Sequence, residues 1–293
     1  MIKNIILPYN KTISENSDPF IIAEIGSNHN GSIEIAKLLI DQAVDAGVSA
    51  VKFQVKEIEL AFTKEQLDKP YNGKNSFGNT YREHKQALEF SSDDLKTVFE
   101  YCKSKEIICF ATPFDTISLE KLELLDNPIY KISSFHVTDL DLIKAICKTG
   151  KPIIMSTGMS TVEEIDKAFE LITSYEIPLV VLHCVSSYPT EISDINLSVI
   201  SSLKERYNCL VGYSGHEKGI VICTQSIAYG ASVIERHFTL DRTMKGTDHV
   251  MSVEPSGMSL IVKRSKYLKK AHGNPSIVVA DCELTTRLKN RGY

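Results

Sequence analysis

The sequence lacks the features that mark several classes of protein. None of its apolar runs reaches the roughly 18 residues that span a membrane as a helix. The first 19 residues contain neither a long apolar stretch nor the cleavage site of a secretory signal. Basic residues are not in excess, since 33 Lys and Arg stand against 37 Asp and Glu, a net charge of −4. We therefore expect no membrane association and no nucleic-acid partner.

Closely spaced cysteines are also missing. The 7 cysteines are scattered along the chain without a CxxC pair, and Cys109 and Cys184 fall inside apolar segments. An odd and dispersed set indicates reduced thiols rather than a disulfide framework. The sequence therefore favours a cytoplasmic protein.

The composition is that of an ordinary globular protein. Hydrophobic residues make up 43% of the 293 residues and charged residues 24%, as in typical soluble domains. A chain of this length buries a large core and accommodates either two small domains or one α/β barrel.

Apolar segments alternate with helical patterns along the chain. A continuous apolar run is typical of a strand that is buried on both faces of a parallel sheet, and this alternation predicts a single (β/α)₈ barrel, a TIM barrel of the α/β class. We place the barrel at residues 20–273, after an arm at 1–19 and before a polar tail at 274–293. The predicted strands are Phe20–Gly26, Ala50–Gln54, Ile108–Phe114, Ile129–Ser134, Pro152–Thr157, Leu179–Cys184, Leu210–Tyr213 and Ser232–Phe238.

Capping residues and apolar periodicity locate the helices between these strands. Ser32 is predicted to cap the first helix, Ser92 to open a later one and Thr161 to cap another. The apolar segment Gly219–Tyr229 predicts a packed helix. The long polar segment Val55–Glu89 predicts a lid or a binding loop, because loops of this length in compact domains usually carry function.

Two histidines follow neighbouring strands near the end of the barrel. His216 comes after Leu210–Tyr213, and His237 lies at the end of Ser232–Phe238. Because the carboxyl ends of parallel strands meet at one edge, both imidazoles are expected to reach one point and bind a divalent metal ion. The alternative is a pair of unrelated histidines, one capping a loop and one satisfied in the core.

Two lysines stand inside otherwise apolar strands, where an unpaired ammonium is costly. Lys52 and Lys131 either pair with a carboxylate such as Glu24 or Glu235, or bind a phosphate-bearing anion. A lysine in such a place could also form a Schiff base, as in aldolases. The hydroxyls expected to join them around the anion are those of Thr112, Ser134, Ser156 and Ser214.

Long, ordered motifs resemble those of the sialic acid synthases. They include IIAEIGSNHNGS, AVKFQ, ATPFD, YKISSF, MSTGM, GYSGHE and VIERHFTLDRTMKGTDH. The resemblance runs from Phe20 to Met258, and TYREHKQALEFS is most similar to the animal-type branch, whose sugar substrate is 6-phosphorylated. The resemblance implies a (β/α)₈ barrel and a homodimer. It also implies a metal-dependent enzyme that joins phosphoenolpyruvate to an N-acylmannosamine or a related sugar aldehyde. The expected products are a nonulosonic acid and inorganic phosphate, with cleavage of the C–O bond.

The resemblance also implies roles for individual residues. His216 and His237 would bind manganese or magnesium, with cobalt or zinc as alternatives. The catalytic residues would be Glu24, which lies near the metal-bound water and the reacting carbonyl, with Lys52, Lys131 and Asp248. The expected substrate-binding residues are Gln54, Thr112, Ser134, His136, Ser156, Ser186, Tyr188, Ser214 and Glu235.

Two departures from the family pattern bear on the acceptor. His136 stands where the family usually has a carboxylate that touches the sugar, and the chain stops at Tyr293, about where many relatives begin a C-terminal antifreeze-like (SAF) domain. We therefore expect a barrel without that domain. The alternatives are a related 3-deoxy-ulosonate synthase, a Schiff-base aldolase, and a non-catalytic sugar-phosphate binding subunit.

Overall fold

A hairpin precedes the barrel. The structure, a computed structural model, describes residues 3–273 and 275–293; Met1, Ile2 and Asn274, which fall in the predicted arm and tail, lie outside the described residues. Strands β1 (Asn4–Leu7) and β2 (Lys11–Ser14) pair antiparallel. The predicted arm therefore contains a two-stranded hairpin.

The strands of the barrel lie where the sequence predicts them. Within the described residues, eight parallel strands form one sheet in the order β5–β4–β3–β10–β9–β8–β7–β6, and β5 lies next to β6, so that the sheet nearly closes on itself. The predicted (β/α)₈ fold is confirmed. The strands are β3 (Phe20–Gly26), β4 (Ala50–Val55), β5 (Ile108–Pro113), β6 (Tyr130–Ile132), β7 (Ile153–Ser156), β8 (Leu179–Cys184), β9 (Leu210–Gly215) and β10 (Val233–His237).

Helices surround this sheet and fill the long loop. Those that follow the barrel strands pack an apolar face on the outside of the sheet, as the 3.6-residue period predicts. Across residues 3–273 and 275–293, no helix combines the length and the apolar character needed to cross a membrane. The helices are α1 (Ile33–Asp45), α2 (Ile58–Ala61), α3 (Lys64–Leu67), α4 (Tyr81–Leu88), α5 (Ser92–Ser104), α6 (Thr116–Glu123), α7 (Leu140–Cys147), α8 (Val162–Thr173), α9 (Val199–Tyr207), α10 (Val221–Gln225), α11 (Pro255–His272) and α12 (Leu284–Arg291).

The three predicted helix starts agree with the structure, with one difference in the capping residue. The side chains of Ser32 and Thr161 cap α1 and α8. Ser92 is the first residue of α5, as predicted, but the cap is Ser91: its hydroxyl accepts the Asp94 N–H, and the Asp94 carboxylate accepts the Ser91 N–H. Adjacent serines offer the same hydroxyl, and only the reciprocal bond with the third helical residue decides between them.

The predicted helix Gly219–Tyr229 is shorter than expected. It consists of α10 followed by a 3₁₀ turn over Ser226–Tyr229. The Ser226 hydroxyl donates to the Cys223 carbonyl at 2.6 Å, and such side-chain bonds to nearby carbonyls compete with regular helix. Gly230, with φ +99°, ends the segment.

A second apolar cluster fills the interior of the barrel and shows which end of the barrel is closed. Ile5, Leu7 and Ile13 of the hairpin pack against residues such as Phe20 and Leu210, which begin their strands. The hairpin therefore closes the amino-terminal end of the barrel. Polar side chains collect at the opposite end, where the strands finish.

Candidate active site

A polar pocket lies at the carboxyl ends of the barrel strands. Parallel register brings its side chains together, since Glu24 is aligned with Lys52 on β4 and with His237 on β10, and Glu235 is aligned with Ser214 on β9. Most of the predicted site residues line this pocket. They are Glu24, Lys52, Gln54, Thr112, Lys131, Ser134, Ser156, Tyr188, Ser214, His216, Glu235 and His237.

Lys52 is held by carboxylates. Its buried ammonium lies 2.6 Å from Glu24 Oε2 and 3.9 Å from Glu235 Oε2, and it donates to Thr112 Oγ1 at 3.1 Å. The ion-pair interpretation of Lys52 is therefore confirmed. A carboxylate on each side leaves this lysine neutralised and fixed in the pocket.

Lys131 has a different environment. Its buried Nζ donates to Ser156 Oγ at 2.7 Å and to the Ile132 carbonyl at 2.9 Å, and no carboxylate of residues 3–273 or 275–293 pairs with it. Burial lowers the pKa of Lys131, opposed by the charge of Glu235. A cation that is bound only by neutral groups is suited to an incoming anion.

His216 and His237 meet as the strand order predicted. Their ring centres lie 5.6 Å apart. His216 Nδ1 donates to the Val185 carbonyl at 2.9 Å, which leaves its Nε2 lone pair free, whereas His237 Nδ1 is buried without a hydrogen-bond partner. Burial lowers the pKa of both imidazoles. Neutral rings with one fixed tautomer are the form in which histidine binds a metal.

The described part of the chain supplies these two nitrogens and little else for a metal. It contains no group of three or more His, Cys, Asp or Glu side chains arranged to hold an ion. Glu235, the nearest candidate in sequence, is engaged elsewhere: its Oε1 accepts from Ser214 at 3.1 Å. Burial raises the pKa of Glu235, but the charges of Lys131, Lys52 and His237 outweigh that effect and lower it. An ion here would depend on water or substrate for its other ligands.

Three predicted residues lie outside the pocket lining. His136 Nδ1 is 2.8 Å from Ser133 Oγ, and its ring meets Phe114 edge-on at 4.8 Å. Ser186 lines a neighbouring cleft between α8 and α9. Burial raises the pKa of Asp248, but its interactions with His237, Thr247 and Lys85 outweigh that effect and lower the pKa.

Several pocket residues were missed by sequence reasoning. Cys184 lines the pocket, with Sγ 4.0 Å from His216 Nδ1. Its signal was strand parity, because Leu182, two residues earlier, faces the barrel interior and alternate residues share a face. Phe114 and Phe135 form an apolar wall and gave no recognisable pattern.

The long segment after β4, residues 56–89, is structured, and we call it the lid after its predicted role. It contains α2, α3 and α4, and reciprocal capping bonds join Thr63 to Gln66 and Thr80 to Glu83. Lys85 on α4 lies with its ammonium 5.0 Å from the centre of the Tyr81 ring. Burial lowers the pKa of Lys85, opposed by the charges of Asp248 and Glu89, so this cation lies within electrostatic reach of both carboxylates.

Comparison with known proteins identifies the family. The family model described as the NeuB family matches residues 39–276. The chain belongs to the NeuB family. N-acetylneuraminate-9-phosphate synthase of Homo sapiens is 36% identical over 271 residues, 92% of this chain and 76% of that protein. N,N'-diacetyllegionaminic acid synthase of Campylobacter jejuni is 36% identical over 87% of this chain and 77% of its own length.

A solved structure agrees with this assignment. The N-acetylneuraminic acid (sialic acid) synthetase of Leptospira borgpetersenii, crystallised with citrate, has a TM-score of 0.88 at 33% identity and covers 99% of this chain and 98% of its own. Heptulosonate 7-phosphate synthase from Thermotoga maritima, at 16% identity and a TM-score of 0.68, shares the fold alone. These comparisons confirm the expectation of a sialic acid synthase-like enzyme.

Proposed function

We propose that the protein joins phosphoenolpyruvate to N-acylmannosamine, or to a related sugar aldehyde in its free or 6-phosphorylated form. C3 of phosphoenolpyruvate attacks the open-chain aldehyde, water adds at C2, and phosphate leaves with cleavage of the C–O bond. The products are a nonulosonic acid and inorganic phosphate. The enzyme would thus be a carbon–carbon bond-forming transferase.

The observation that carries this proposal is the ammonium of Lys131, buried beside Ser156 without a carboxylate partner. A dianionic phosphate supplies the charge that this environment lacks, and lysines with hydroxyls are suitable donors to it. Lys52, which is paired with Glu24 and Glu235, supplies the second ammonium of the pocket. The hydroxyls on the same pocket wall belong to Thr112, Ser134, Ser156 and Ser214.

Glu24 is our candidate for the proton of the attacking water. Its two oxygens are held by Lys52 at 2.6 Å and by the amide of Gln54 at 2.8 Å. A carboxylate that is fixed in this way acts as a general base when a water molecule lies within hydrogen-bond reach. Gln54, Tyr188 and Asp248 would face the sugar.

We further propose that His216 and His237 hold a divalent metal, manganese or magnesium, with cobalt or zinc as alternatives. The neutral rings and the unpartnered Nδ1 of His237 fit such an ion. When bound, it supplies Lewis acidity toward a carbonyl and a water. His216→Ala and His237→Ala should each abolish both metal retention in elemental analysis and phosphate release. Full turnover of either variant in chelator would refute the metal site.

The experiment for the reaction is a mass-spectrometric screen of products. Phosphoenolpyruvate is offered with N-acetylmannosamine, mannosamine, mannose and their 6-phosphates, and inorganic phosphate is followed in parallel. A nonulosonic acid with one phosphate per product supports the proposal. An eight-carbon product indicates a related 3-deoxy-ulosonate synthase, and sugar-phosphate binding without turnover indicates a binding subunit.

A Schiff-base aldolase is the second candidate, because burial lowers the pKa of Lys131 and thereby favours a neutral, nucleophilic amine. Borohydride reduction in the presence of pyruvate and the sugar distinguishes the two. A covalent adduct on Lys131 or Lys52 would support the aldolase. Phosphate release without an adduct would exclude it.

The 6-phosphorylated acceptor is supported by Lys85, a cation of the segment after β4 that interacts with the charge of Asp248, a residue expected to face the sugar. Lys85→Met should lower kcat/KM on N-acetylmannosamine 6-phosphate at least tenfold more than on N-acetylmannosamine, the cost of about one charge-assisted contact. His136→Glu tests the other acceptor residue. If the ratio of the two efficiencies moves by less than twofold in that variant, His136 has no part in specificity.

We also propose a cytoplasmic homodimer. Support for the location is that all seven cysteines are free and six of them are buried, as expected in a reducing compartment. The dimer rests on the family resemblance. Light scattering on the purified chain gives the mass directly, and a monomeric mass with full activity would contradict it.

A further inference from the structure

Lys56 is a buried cation to which sequence reasoning assigned no role of its own. It follows β4, and its side chain is only 6% exposed. Its ammonium donates to Gln54 Oε1 at 3.0 Å and lies over the Phe114 ring, 4.5 Å from the ring centre. Glu89 Oε2 is 3.9 Å away, and Glu89 Oε1 accepts the Lys56 backbone N–H at 3.0 Å. The side chain is thus fixed from both of its ends.

Lys56 determines which way the Gln54 amide is turned. On the other side of that amide, Gln54 Nε2 donates to Glu24 Oε1 at 2.8 Å. An ammonium can only donate, and an ionised carboxylate can only accept. An amide placed between them therefore has a single satisfied orientation, with its oxygen toward Lys56 and its nitrogen toward Glu24.

The backbone leaves room for this contact. Gly26 adopts φ +53°, and a Cβ there would lie 3.2 Å from Glu24 Oε1 and 3.3 Å from Gln54 Nε2. Lys52, at 2.6 Å, holds the second oxygen of Glu24. Glu89, Lys56, Gln54, Glu24 and Lys52 therefore form one continuous polar chain from the lid to the centre of the pocket.

We propose that Lys56 is a positioning residue that fixes Glu24 through Gln54. The inference rests on the proposed function, in which Glu24 receives the proton of the attacking water. Without Lys56, Gln54 Oε1 loses its donor and the amide is held only at its nitrogen, so that its contact with Glu24 Oε1 is no longer fixed. One of the two supports of Glu24 is then weakened, and the catalytic step slows while the anion pocket around Lys131 stays intact.

A double-mutant cycle on kcat tests this coupling. Lys56→Met and Gln54→Leu should each lower kcat at least tenfold, and the double variant should lie within twofold of Gln54→Leu, because Lys56 acts only through Gln54. Lys56→Met should leave KM for phosphoenolpyruvate within twofold of the parent. Lys56→Arg, which retains a donor, should keep most of kcat, and Lys103→Met on the exposed side of α5 serves as the control.

Effects that multiply in the double variant would overturn the proposal, as would a Lys56→Met change confined to KM. A second test of the contact uses urea-unfolding midpoints, measured without substrate, of the parent, Lys56→Met, Gln54→Leu and the double variant. They should be non-additive as well, and additive midpoints would overturn the proposal even if the parent released no phosphate. An inactive parent with non-additive midpoints would refute the proposed reaction and still support the contact.

Discussion

At the scale of single residues, the two pocket lysines differ in their partners and therefore in what their loss should cost. Lys52 neutralises Glu24 and Glu235, whereas Lys131 is bound by a hydroxyl and a carbonyl. Removing Lys52 leaves the buried Glu24 carboxylate without its cation and takes one of two nearby cations from Glu235. Removing Lys131 takes away a desolvated charge that no carboxylate of the described residues contacts directly.

We therefore predict that Lys131→Met mainly weakens substrate binding, whereas Lys52→Met mainly lowers the stability of the fold. Lys131→Met should raise KM for phosphoenolpyruvate at least tenfold, about 1.5–3 kcal/mol for a charge-assisted contact, without loss of unfolding free energy. Lys52→Met should lower that free energy by about 3 kcal/mol, since one partner of a buried pair is gone. Steady-state kinetics and urea unfolding measure both. Equal destabilisation by the two variants would contradict the assignment.

Much of the pocket was predictable from residues at strand ends, because parallel register puts them at one edge. Lys131 and His237 were found in this way. Lys56 was not, since nothing in its sequence neighbourhood shows that a lid residue, Glu89, would return to meet it. His136 replaces the carboxylate that the family usually has at that motif position, and its ring packs on Phe114 while its Nδ1 meets Ser133, contacts that a motif does not encode.

At the scale of elements, the lid depends on short helices that cannot be stable alone. The Thr80 hydroxyl accepts the Glu83 N–H at 3.2 Å, and Glu83 Oε2 accepts the Asn79 N–H, 2.6 Å away. These bonds start α4, the helix that carries Lys85. The cap is therefore expected to set how often this part of the lid opens.

Thr80→Ala should weaken α4 by about 1 kcal/mol, the usual cost of losing a helix cap. Amide hydrogen exchange should become roughly five times faster over residues 81–88, and KM for the acceptor should rise. Thr286→Ala, inside the exposed helix α12, is the matched control and should change neither. Unchanged exchange over 81–88 in Thr80→Ala would show that the cap does not hold the lid.

The bounds of strands and helices were predictable where all residues of the element are buried, and less so where buried and exposed residues are mixed. Strands such as β8 are buried on both faces, so that their apolar runs coincide with their bounds. The lid helices are short and polar, and their burial depends on aromatic contacts such as Tyr71 with His84 at 4.6 Å. Contacts between residues that are far apart in the sequence produce no periodic pattern in the sequence.

At the scale of the whole molecule, the two ends of the barrel have separate tasks. The hairpin closes the amino-terminal end with apolar side chains, and the polar pocket occupies the other end. Stability and chemistry should therefore be separable by mutation. Two adjacent isoleucines of β1 allow a direct comparison, because Ile5 is 2% exposed and Ile6 is 75% exposed.

Ile5→Ala should lower the unfolding free energy by about 2–5 kcal/mol, as is usual for a truncated core isoleucine. Ile6→Ala should change it by less than about 0.5 kcal/mol. Both variants should keep the parental kcat at a temperature where they remain folded. Equal stabilities in urea unfolding would mean that the hairpin does not seal the barrel, and a loss of kcat in folded Ile5→Ala would mean that the two ends are coupled.

The central claim, condensation with cleavage of the C–O bond of phosphoenolpyruvate, is tested most directly by an isotope label. Phosphoenolpyruvate carrying ¹⁸O in the oxygen that bridges C2 and phosphorus is incubated with the enzyme and the sugar that the product screen selects. The inorganic phosphate is then examined by mass spectrometry. We predict that the label appears in the phosphate, because water supplies the new oxygen at C2. Unlabelled phosphate, or product without phosphate release, would contradict the account.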